Sequence, residues 1–437
     1  MRASAASSTW AVRRWRTTSR CSSGSSDPRR DRIAPQADSP LIVFFALLPA
    51  YFLSIFYRSF LSVIAGPVMD DLAIGPREFG LLGAAWFTTF AIAQFPIGWA
   101  LDRLGPRRTV TAAMAVGSAG AFLFAQATGA LSGTLAMALI GIGCAPIFMA
   151  SLFLFARTAE PGRFAFLTSV FIGLGSLGNL VGAAPLAIAA ARFGWRPSML
   201  VMAGCFLLAT ALAALLIRDP VRAESASGKA EGLLAGLASI LKLRPLWLLA
   251  PITLTAYAIL ATARGLWVGP YMASVHGFDA VSAGNAATAM ALTMVAGAFI
   301  YGGLEKALGR GKPLVFWGTL CTAGCFALLA AFGAGSSLLA VALFALIGAV
   351  GFTYAILMAH ARLFFPAHLL GRGMTAVNFL FIAGAALTQS GSGWFIASQR
   401  AAGLDAATTF AHLHGAFATL LLASAAIYAF TPERPKA

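Results

Sequence analysis

Residues 49–58 read PAYFLSIFYR, and residues 255–264 read TAYAILATAR. In both stretches a tyrosine stands third and an arginine stands tenth, and a Gly-Pro pair follows at 66–67 and at 269–270. The two stretches start 206 residues apart, close to half of the 437-residue chain. Because the matching features share their order and nearly their offset, the chain is predicted to consist of two halves in the same orientation.

The hydropathy pattern around these stretches is that of a membrane protein. Hydrophobic residues make up 59% of the chain and charged residues 11%, whereas a soluble protein carries about a quarter charged residues. Stretches of about 20 apolar residues, each long enough to cross the bilayer as a helix, recur along the chain. Twelve such spans are predicted, at 41–64, 79–101, 109–128, 134–156, 164–188, 198–217, 246–270, 282–304, 313–332, 337–360, 374–397 and 409–430.

The predicted fold class is therefore all-α, a polytopic membrane protein with twelve transmembrane helices in two parallel, pseudo-symmetric six-helix bundles. The predicted segments are a disordered cytoplasmic tail (1–40), an N-terminal bundle (41–217), a cytoplasmic linker (218–245), a C-terminal bundle (246–430) and a short cytoplasmic tail (431–437).

The formal net charge of +16 is a topology signal, not a sign of nucleic-acid binding. If the N-terminal tail is cytoplasmic, 25 Lys and Arg residues fall in cytoplasmic segments, four on the opposite side and two within spans. This asymmetry follows the positive-inside rule, which places both termini in the cytoplasm. We expect an integral protein of the inner (plasma) membrane that contacts the lipid bilayer and no nucleic acid.

The loop between spans 2 and 3 reads GWALDRLGPRR (98–108). It resembles the signature loop of the major facilitator superfamily, Gly-x3-Asp-Arg-x-Gly-x-Arg-Arg, at the place where that family of twelve-span transporters carries it. The resemblance implies a gating role for this loop, with Gly98 and Gly105 permitting close approach and a tight turn. The gating residues that it implies are Gly98, Asp102, Arg103, Gly105, Arg107 and Arg108.

Two arginines, Arg58 and Arg264, fall within predicted spans. An arginine at a helix centre costs about 2.5–3.5 kcal/mol in membrane insertion, and such residues usually face a cavity or a partner. Helical steps of three and four residues place Tyr51, Ser54 and Ser62 on the same face as Arg58. Transporters built from parallel repeats bind substrate between their halves, so the two arginines are expected to face one cavity.

No carboxylate of the fifteen in the chain lies deep within a predicted span. Two buried guanidinium groups without an internal counter-ion suit an anionic ligand, since guanidinium binds carboxylate and phosphate well. The alternative is that both side chains snorkel or pair with backbone carbonyls and tyrosine hydroxyls.

The arginines of spans 1 and 7 also resemble those of organophosphate and organic-anion transporters of the superfamily. The resemblance implies that Arg58 and Arg264 hold the anionic group, with Tyr51 and Tyr257 as hydroxyl partners. Three further polar residues within spans are candidates for lining the cavity, with helix–helix hydrogen bonds as the alternative: Gln94, Asn378 and Gln389.

The sequence thus predicts a secondary active transporter that moves a small anionic organic solute, bearing carboxylate or phosphate, by alternating access. The coupling mode, symport or antiport, stays open. A drug or metabolite efflux pump is the alternative within the family, and a polytopic membrane enzyme or sensor is a distant one. The expectation is a monomer with no enzymatic activity, no cofactor and no metal site. Histidines near span ends, including His360 and His414, are expected at the surface.

Overall fold

A computed structural model describes residues 39–219, 244–365 and 370–433, and within these ranges the protein is helical and contains no β-strand. Residues 1–38 of the predicted tail (1–40) and residues 220–243 of the predicted linker (218–245) lie outside the described residues. Twelve spans cross the fold, as the sequence predicted. Eleven are long and apolar enough to cross a membrane, and the helix of span 1, Pro40–Phe56, is shorter.

Seven spans are single α-helices. They are span 2 (Pro76–Arg103), span 3 (Pro106–Ala125), span 6 (Trp195–Leu216), span 8 (Ala280–Leu308), span 9 (Gly311–Phe332), span 11 (Leu370–Ala401) and span 12 (Ala406–Ala429). Aspartates cap two of them. Asp279 accepts from the backbone N–H of Ser282, and hydrogen bonds from Ser282 hold the pKa of the Asp279 carboxyl below its usual range. Asp405 caps span 12 in the same way.

The other five spans are interrupted. Span 1 consists of Pro40–Phe56, a 3₁₀ turn Phe60–Ser62 and Ala65–Asp71; span 4 of Ala130–Cys144 and Ile147–Thr158; span 5 of Pro161–Gly175, Leu177–Val181 and Ala184–Phe193; span 7 of Arg244–Thr262, a π-helical turn Ala263–Trp267 and Val268–His276; and span 10 of Ser337–Gly351 and Tyr354–Arg362. The interruptions of spans 1 and 7 fall at Arg58 and at Arg264. Both arginines of the sequence repeat therefore lie where the regular helix is broken.

The break in span 1 corrects the prediction of one continuous helix over 41–64. Arg58 lies in a turn after the helix ends at Phe56, and Ser62 lies in the 3₁₀ turn beyond it. The helical steps that placed Ser62 on the face of Arg58 therefore do not apply across the break. The carbonyl of Ser62 instead faces span 7, where it occupies the space that a Cβ on Gly269 would need.

Because the number of spans is even, both described chain ends lie on one side of the fold, here called the terminal side. The two halves pack closely on the other side. A Cβ on Gly80 of span 2 would lie 2.7 Å from the carbonyl oxygen of Gln389, and one on Gly393 of span 11 would lie 2.6 Å from that of Pro76. Spans 5 and 8 also meet there, through the Thr288 hydroxyl, which accepts from the Ala184 N–H at 3.1 Å. We call these contacts the seam.

Candidate functional site

Arg58 extends from the break in span 1 toward the second half. Its Nη1 donates to the hydroxyl of Tyr257 in span 7, at 3.3 Å. Its guanidinium carbon lies 5.1 Å from the ring centroid of Trp86 and 5.6 Å from that of Phe90, both on span 2. The Nε atom is buried and has no hydrogen-bond partner. Arg58 therefore joins the two halves through neutral partners, and its charge is not balanced by them.

Arg264 lies in the π-helical turn of span 7, and its side chain is buried, with 6% of the residue exposed. Its Nε atom has no hydrogen-bond partner. Within the described ranges, no hydrogen bond or ion pair to Arg264 occurs, and the same part of the chain offers Arg58 no carboxylate. A π-turn inside an α-helix often marks a functional position. Arg264 is thus a buried cation and Arg58 a partly buried one, and neither has a counter-ion among the described residues.

The turns that carry the two arginines are in backbone contact. A Cβ on Gly265 would lie 3.2 Å from the carbonyl oxygen of Arg58, and one on Gly269 would overlap the carbonyl oxygen of Ser62. Only glycine allows this approach, because any side chain would push the two turns apart. The turns at Arg58 and Arg264, one in each copy of the sequence repeat, therefore contact each other at the centre of the fold.

Three more predicted residues lie around this centre. The Tyr51 ring stacks on Phe148 and on Phe171, at centroid distances of 5.4 and 4.9 Å, and Tyr51 lies within electrostatic range of Arg58. The Tyr257 ring lies 5.5 Å from that of Tyr354.

Asn378 joins the group through Tyr354, whose hydroxyl donates to the side-chain oxygen of Asn378 at 2.9 Å. The centre is therefore lined by hydroxyl, amide and aromatic groups around the two guanidinium groups.

The other two candidates take part in contacts between helices. Gln94 donates from Nε2 to the carbonyl oxygen of Ala145 in span 4, at 3.2 Å. Gln389 is 2% exposed and packs at the seam, where its side chain occupies the space that a Cβ on Gly83 would need. Although Asn378 and Gln389 are three helical turns apart on one face of span 11, the structure brings only Asn378 next to Tyr354 and Tyr257.

Sequence reasoning missed several residues at this centre, above all Trp86, Phe90 and Tyr354. Cys144 at the break in span 4 also lies within electrostatic range of Arg58. Apolar and aromatic residues in a membrane span resemble ordinary packing residues, so their composition gave no signal. The i, i+4 spacing of Trp86 and Phe90, which puts both on one helical face, was the one available clue.

The predicted gating loop binds the end of span 6. The Arg107 backbone N–H donates to Oδ1 of Asp219 at 2.8 Å, and Arg107 Nε donates to the carbonyl oxygen of Ala214 at 2.9 Å. Arg108 Nε lies 4.0 Å from Oδ2 of Asp219. The Arg103 guanidinium lies 6.0 Å from the Trp99 ring centroid.

The second half repeats this arrangement. Lys312 Nζ donates to the carbonyl oxygen of Ala429 at 2.7 Å, and Arg310 Nε lies 3.6 Å from a carboxylate oxygen of Glu433. In both halves, a basic side chain of the loop therefore neutralises the C-terminal end of the last helix. The sequence analysis did not identify Asp219 or Glu433 as partners of these loops.

The two glycines of the gating loop differ. Gly105 has φ +90°, a backbone conformation that residues with a side chain rarely adopt, so the chain turns there at a glycine. Among the described residues, Gly98 has no atom beyond its own helix within 4 Å of the position of a Cβ, whereas a Cβ on Gly105 would lie 2.5 Å from Oδ1 of Asp219. One turn before Gly98, the Phe95 ring of span 2 lies 5.5 Å from the Phe379 ring of span 11. The side chain of Asp102 lies outside the described part of the structure.

The expectation for two histidines was wrong. His360 is 3% exposed, and its two ring nitrogens face the Tyr428 hydroxyl at 2.7 Å and the Pro432 carbonyl oxygen at 3.2 Å. His414 is 2% exposed and lies among aromatic rings, with Tyr271 at a centroid distance of 5.0 Å. Position near the end of a span does not expose a residue when it faces the inside of the bundle.

Comparisons with known proteins agree with this fold. Residues 47–389 match the family model described as the Major Facilitator Superfamily. An uncharacterized transporter of Bacillus subtilis, YybO, is 28% identical over 153 residues, which cover 35% of each chain. A hexuronate transporter of the same organism is 28% identical over 163 residues, 37% of this chain and 38% of that one. The matches thus span little more than a third of these relatives' lengths.

Solved structures resemble the chain over most of its length. A bacterial homolog of the human lysosomal transporter Spinster, in an inward-facing and unoccupied conformation, has a TM-score of 0.74 at 15% identity and covers 89% of this chain and 96% of its own. The nucleoside transporter NupG has a TM-score of 0.72 at 13% identity and covers 90% and 99%. At these identities the likeness extends to the fold alone.

Proposed function

The chain belongs to the Major Facilitator Superfamily, and on that premise we propose that it is a secondary active transporter of a small organic anion. It moves its substrate by alternating access, with the two halves rocking around the central arginines. It acts as a monomer in the inner (plasma) membrane, with the terminal side in the cytoplasm, and it is not an enzyme.

One observation carries the anion assignment. Arg58 and Arg264 lie together at the contact of the two halves, and no carboxylate neutralises either of them in the described part of the chain. Burying an uncompensated charge is costly, and a pair of like charges is more costly still. An anionic substrate removes this cost when it binds, so the site has affinity for anions. The positive charge of the two arginines repels cations.

The neighbouring groups favour an anion that also carries hydroxyl groups. Tyr257 and Asn378 offer hydrogen-bond donors and acceptors around the arginines, and the Tyr51 ring, stacked on Phe148 and Phe171, adds an apolar surface. A sugar acid has both kinds of surface, a carboxylate and a ring with hydroxyls above an apolar face. The hexuronate transporter among the relatives supports the same class. We therefore propose a hexuronate-like sugar acid as the substrate.

The seam supports the transport cycle. The halves are in close backbone contact on the side opposite the termini, whereas toward the terminal side the described residues show a ring contact, between Phe95 of span 2 and Phe379 of span 11 at 5.5 Å. The backbone contacts of the seam are those expected of a carrier that is closed on the side opposite the termini. The alternating step then consists of opening the seam and bringing the gating loops of the terminal side together.

Uptake by proteoliposomes tests the proposal. We expect uptake of labelled D-glucuronate, little uptake of neutral D-glucose, and a loss of at least about tenfold in Arg58→Gln and in Arg264→Gln, since hydrogen bonds to charged groups contribute about 1.5–3 kcal/mol. Lysine at either position should rescue only part, because it lacks the guanidinium fork. Arg400→Gln, at the exposed end of span 11, is the matched control and should transport normally.

The efflux alternative makes the opposite prediction. A pump for neutral or cationic drugs would tolerate loss of both arginines, because its substrate brings no charge that needs them. Full D-glucuronate transport by the Arg58→Ala, Arg264→Ala double variant would rule out anion binding by these two residues.

A further inference from the structure

Trp86 and Phe90 stand one helical turn apart on span 2 and stack on each other. Their ring centroids are 4.9 Å apart at an interplanar angle of 19°. Trp86 is 1% exposed and Phe90 is 5% exposed. We call this pair of rings the aromatic shelf.

The shelf lies beneath the Arg58 guanidinium, at 5.1 Å from the Trp86 ring and 5.6 Å from the Phe90 ring. Both distances are within the range of cation–π attraction, which is strongest for tryptophan and in a desolvated site. The attraction holds the cation in place and leaves its charge intact, whereas a carboxylate would cancel it. Together with the Tyr257 hydroxyl, the shelf restricts where the guanidinium can point.

Span 4 fixes the shelf from behind. A Cβ on Gly141 would overlap the backbone carbonyl of Trp86, so the two helices touch at this point. One turn along, the Thr89 hydroxyl donates to the carbonyl oxygen of Ala138 at 2.8 Å. The backbone that carries the two rings therefore cannot move independently of span 4.

The second half has no such shelf. A Cβ on Gly348 of span 10 would meet the Met290 carbonyl and the Thr293 hydroxyl, as one on Gly141 would meet those of Trp86 and Thr89. Met290 and Met294 therefore stand in span 8 where Trp86 and Phe90 stand in span 2. Both methionines are buried. In the described residues no aromatic ring lies beneath the Arg264 guanidinium, and no hydrogen bond reaches it.

We propose that Trp86 and Phe90 are positioning residues for anion binding, which hold the Arg58 guanidinium oriented and charged before the substrate arrives. The two arginines are then unequal anchors. Arg58 is pre-oriented by the shelf and by Tyr257, whereas Arg264 receives its partner only from the anion. This inference rests on the proposed function, because it assigns a role in binding the same anion.

A double-mutant cycle tests the role of the shelf. In proteoliposomes, Trp86→Leu should raise the half-saturation concentration KM for D-glucuronate about tenfold, the ratio that corresponds to about 1.4 kcal/mol of lost cation–π attraction, with the maximal rate nearly unchanged. Trp86→Phe keeps a ring and should stay within about threefold of the wild type. In an Arg58→Gln background, Trp86→Leu should add nothing further.

Phe87→Leu is the matched control. Phe87 is as buried as Trp86, and the centroids of the two rings are 4.9 Å apart, but the Phe87 ring does not lie beneath the Arg58 guanidinium. Its replacement should leave KM unchanged, and all variants should elute as folded protein in detergent. Additive effects of Arg58→Gln and Trp86→Leu on KM would overturn the shelf proposal. An equal rise of KM in Trp86→Phe and Trp86→Leu would do the same, and both results would leave the anion site intact.

A second measurement needs no substrate. Phenylglyoxal modifies arginine side chains, and mass spectrometry of the peptide that contains Arg58 gives its rate. The rate should rise several-fold in Trp86→Leu and stay at the wild-type value in Phe87→Leu, because only the first frees the guanidinium. An unchanged rate in Trp86→Leu would refute the positioning role even if D-glucuronate proves not to be the substrate.

Discussion

At the scale of single residues, the two tyrosines of the repeat do different work. Tyr257 accepts a hydrogen bond from Arg58 across the contact of the halves, whereas the Tyr51 hydroxyl has no such bond in the ranges that the structure describes. The Tyr51 ring is held by Phe148 and Phe171 instead. The repeat conserves the residue type, and packing decides whether its ring or its hydroxyl is used.

Removing each hydroxyl should therefore have unequal effects. We expect Tyr257→Phe to raise the KM for D-glucuronate about fivefold to tenfold, because the Arg58 guanidinium loses the one hydrogen bond that the described residues give it. Tyr51→Phe keeps the stacked ring and should change KM by less than about twofold. Uptake kinetics in proteoliposomes measure both, and an equally large effect of Tyr51→Phe would show that the two hydroxyls are equivalent after all.

At the scale of helices, the seam depends on glycines that meet backbone atoms of the other half. Gly80 and Gly393 each leave less than 3 Å between a hypothetical Cβ and the opposing backbone. A backbone cannot rotate away as a side chain can, so a methyl group here would force the helices apart. Gly391, two residues from Gly393 on span 11, has no atom within 4 Å of that position.

This difference gives a matched pair of variants. Gly393→Ala should destabilise the closed seam by about 1–3 kcal/mol and shift the population toward the conformation that is open on that side. Spin labels at the ends of spans 2 and 11 would then show longer distances; they are introduced as Arg77→Cys and Arg400→Cys, with Cys21, Cys205 and Cys321 replaced by serine. If Gly393→Ala and Gly391→Ala gave the same distance distribution, the seam would not depend on this glycine.

At the scale of the whole molecule, the distribution of Lys and Arg predicts which side faces the cytoplasm. A green fluorescent protein fused after Ala437 should fluoresce, and an alkaline phosphatase at the same place should be inactive in a bacterial host. The phosphatase fused after Gly403, between spans 11 and 12, should be active. Active phosphatase at the C terminus would reverse the proposed orientation.

Hydropathy and the repeat were sufficient to predict the twelve spans, the two halves and the central arginines. Each of these follows from residue types at long and regular spacing. The helix breaks at Arg58 and Arg264 could not be read in the same way, since no Gly or Pro precedes either break within a turn. They depend on tertiary contacts, in which Gly265 and Gly269 bring the two turns together.

The aromatic shelf and the placement of Gln389 were unpredictable for a related reason. In a membrane span, an aromatic residue that holds a cation and one that only packs have the same hydropathy. Likewise, Asn378 and Gln389 share a helical face, yet one lies beside Tyr354 and the other at the seam. Whether such a residue lines the centre or packs between helices depends on its depth along the span and on which helix faces it. The local sequence gives neither.

The interrupted helices follow a regular order along the chain. Spans 1, 4, 7 and 10 are all broken, at Phe56–Phe60, Cys144–Ile147, Ala263–Trp267 and Gly351–Tyr354, and each opens a group of three spans. Span 5 is the one other span with a break in the described chain. Four breaks at a period of three helices place an interruption in the first span of each group, where backbone groups lose their helical partners and the span can bend more easily than its neighbours.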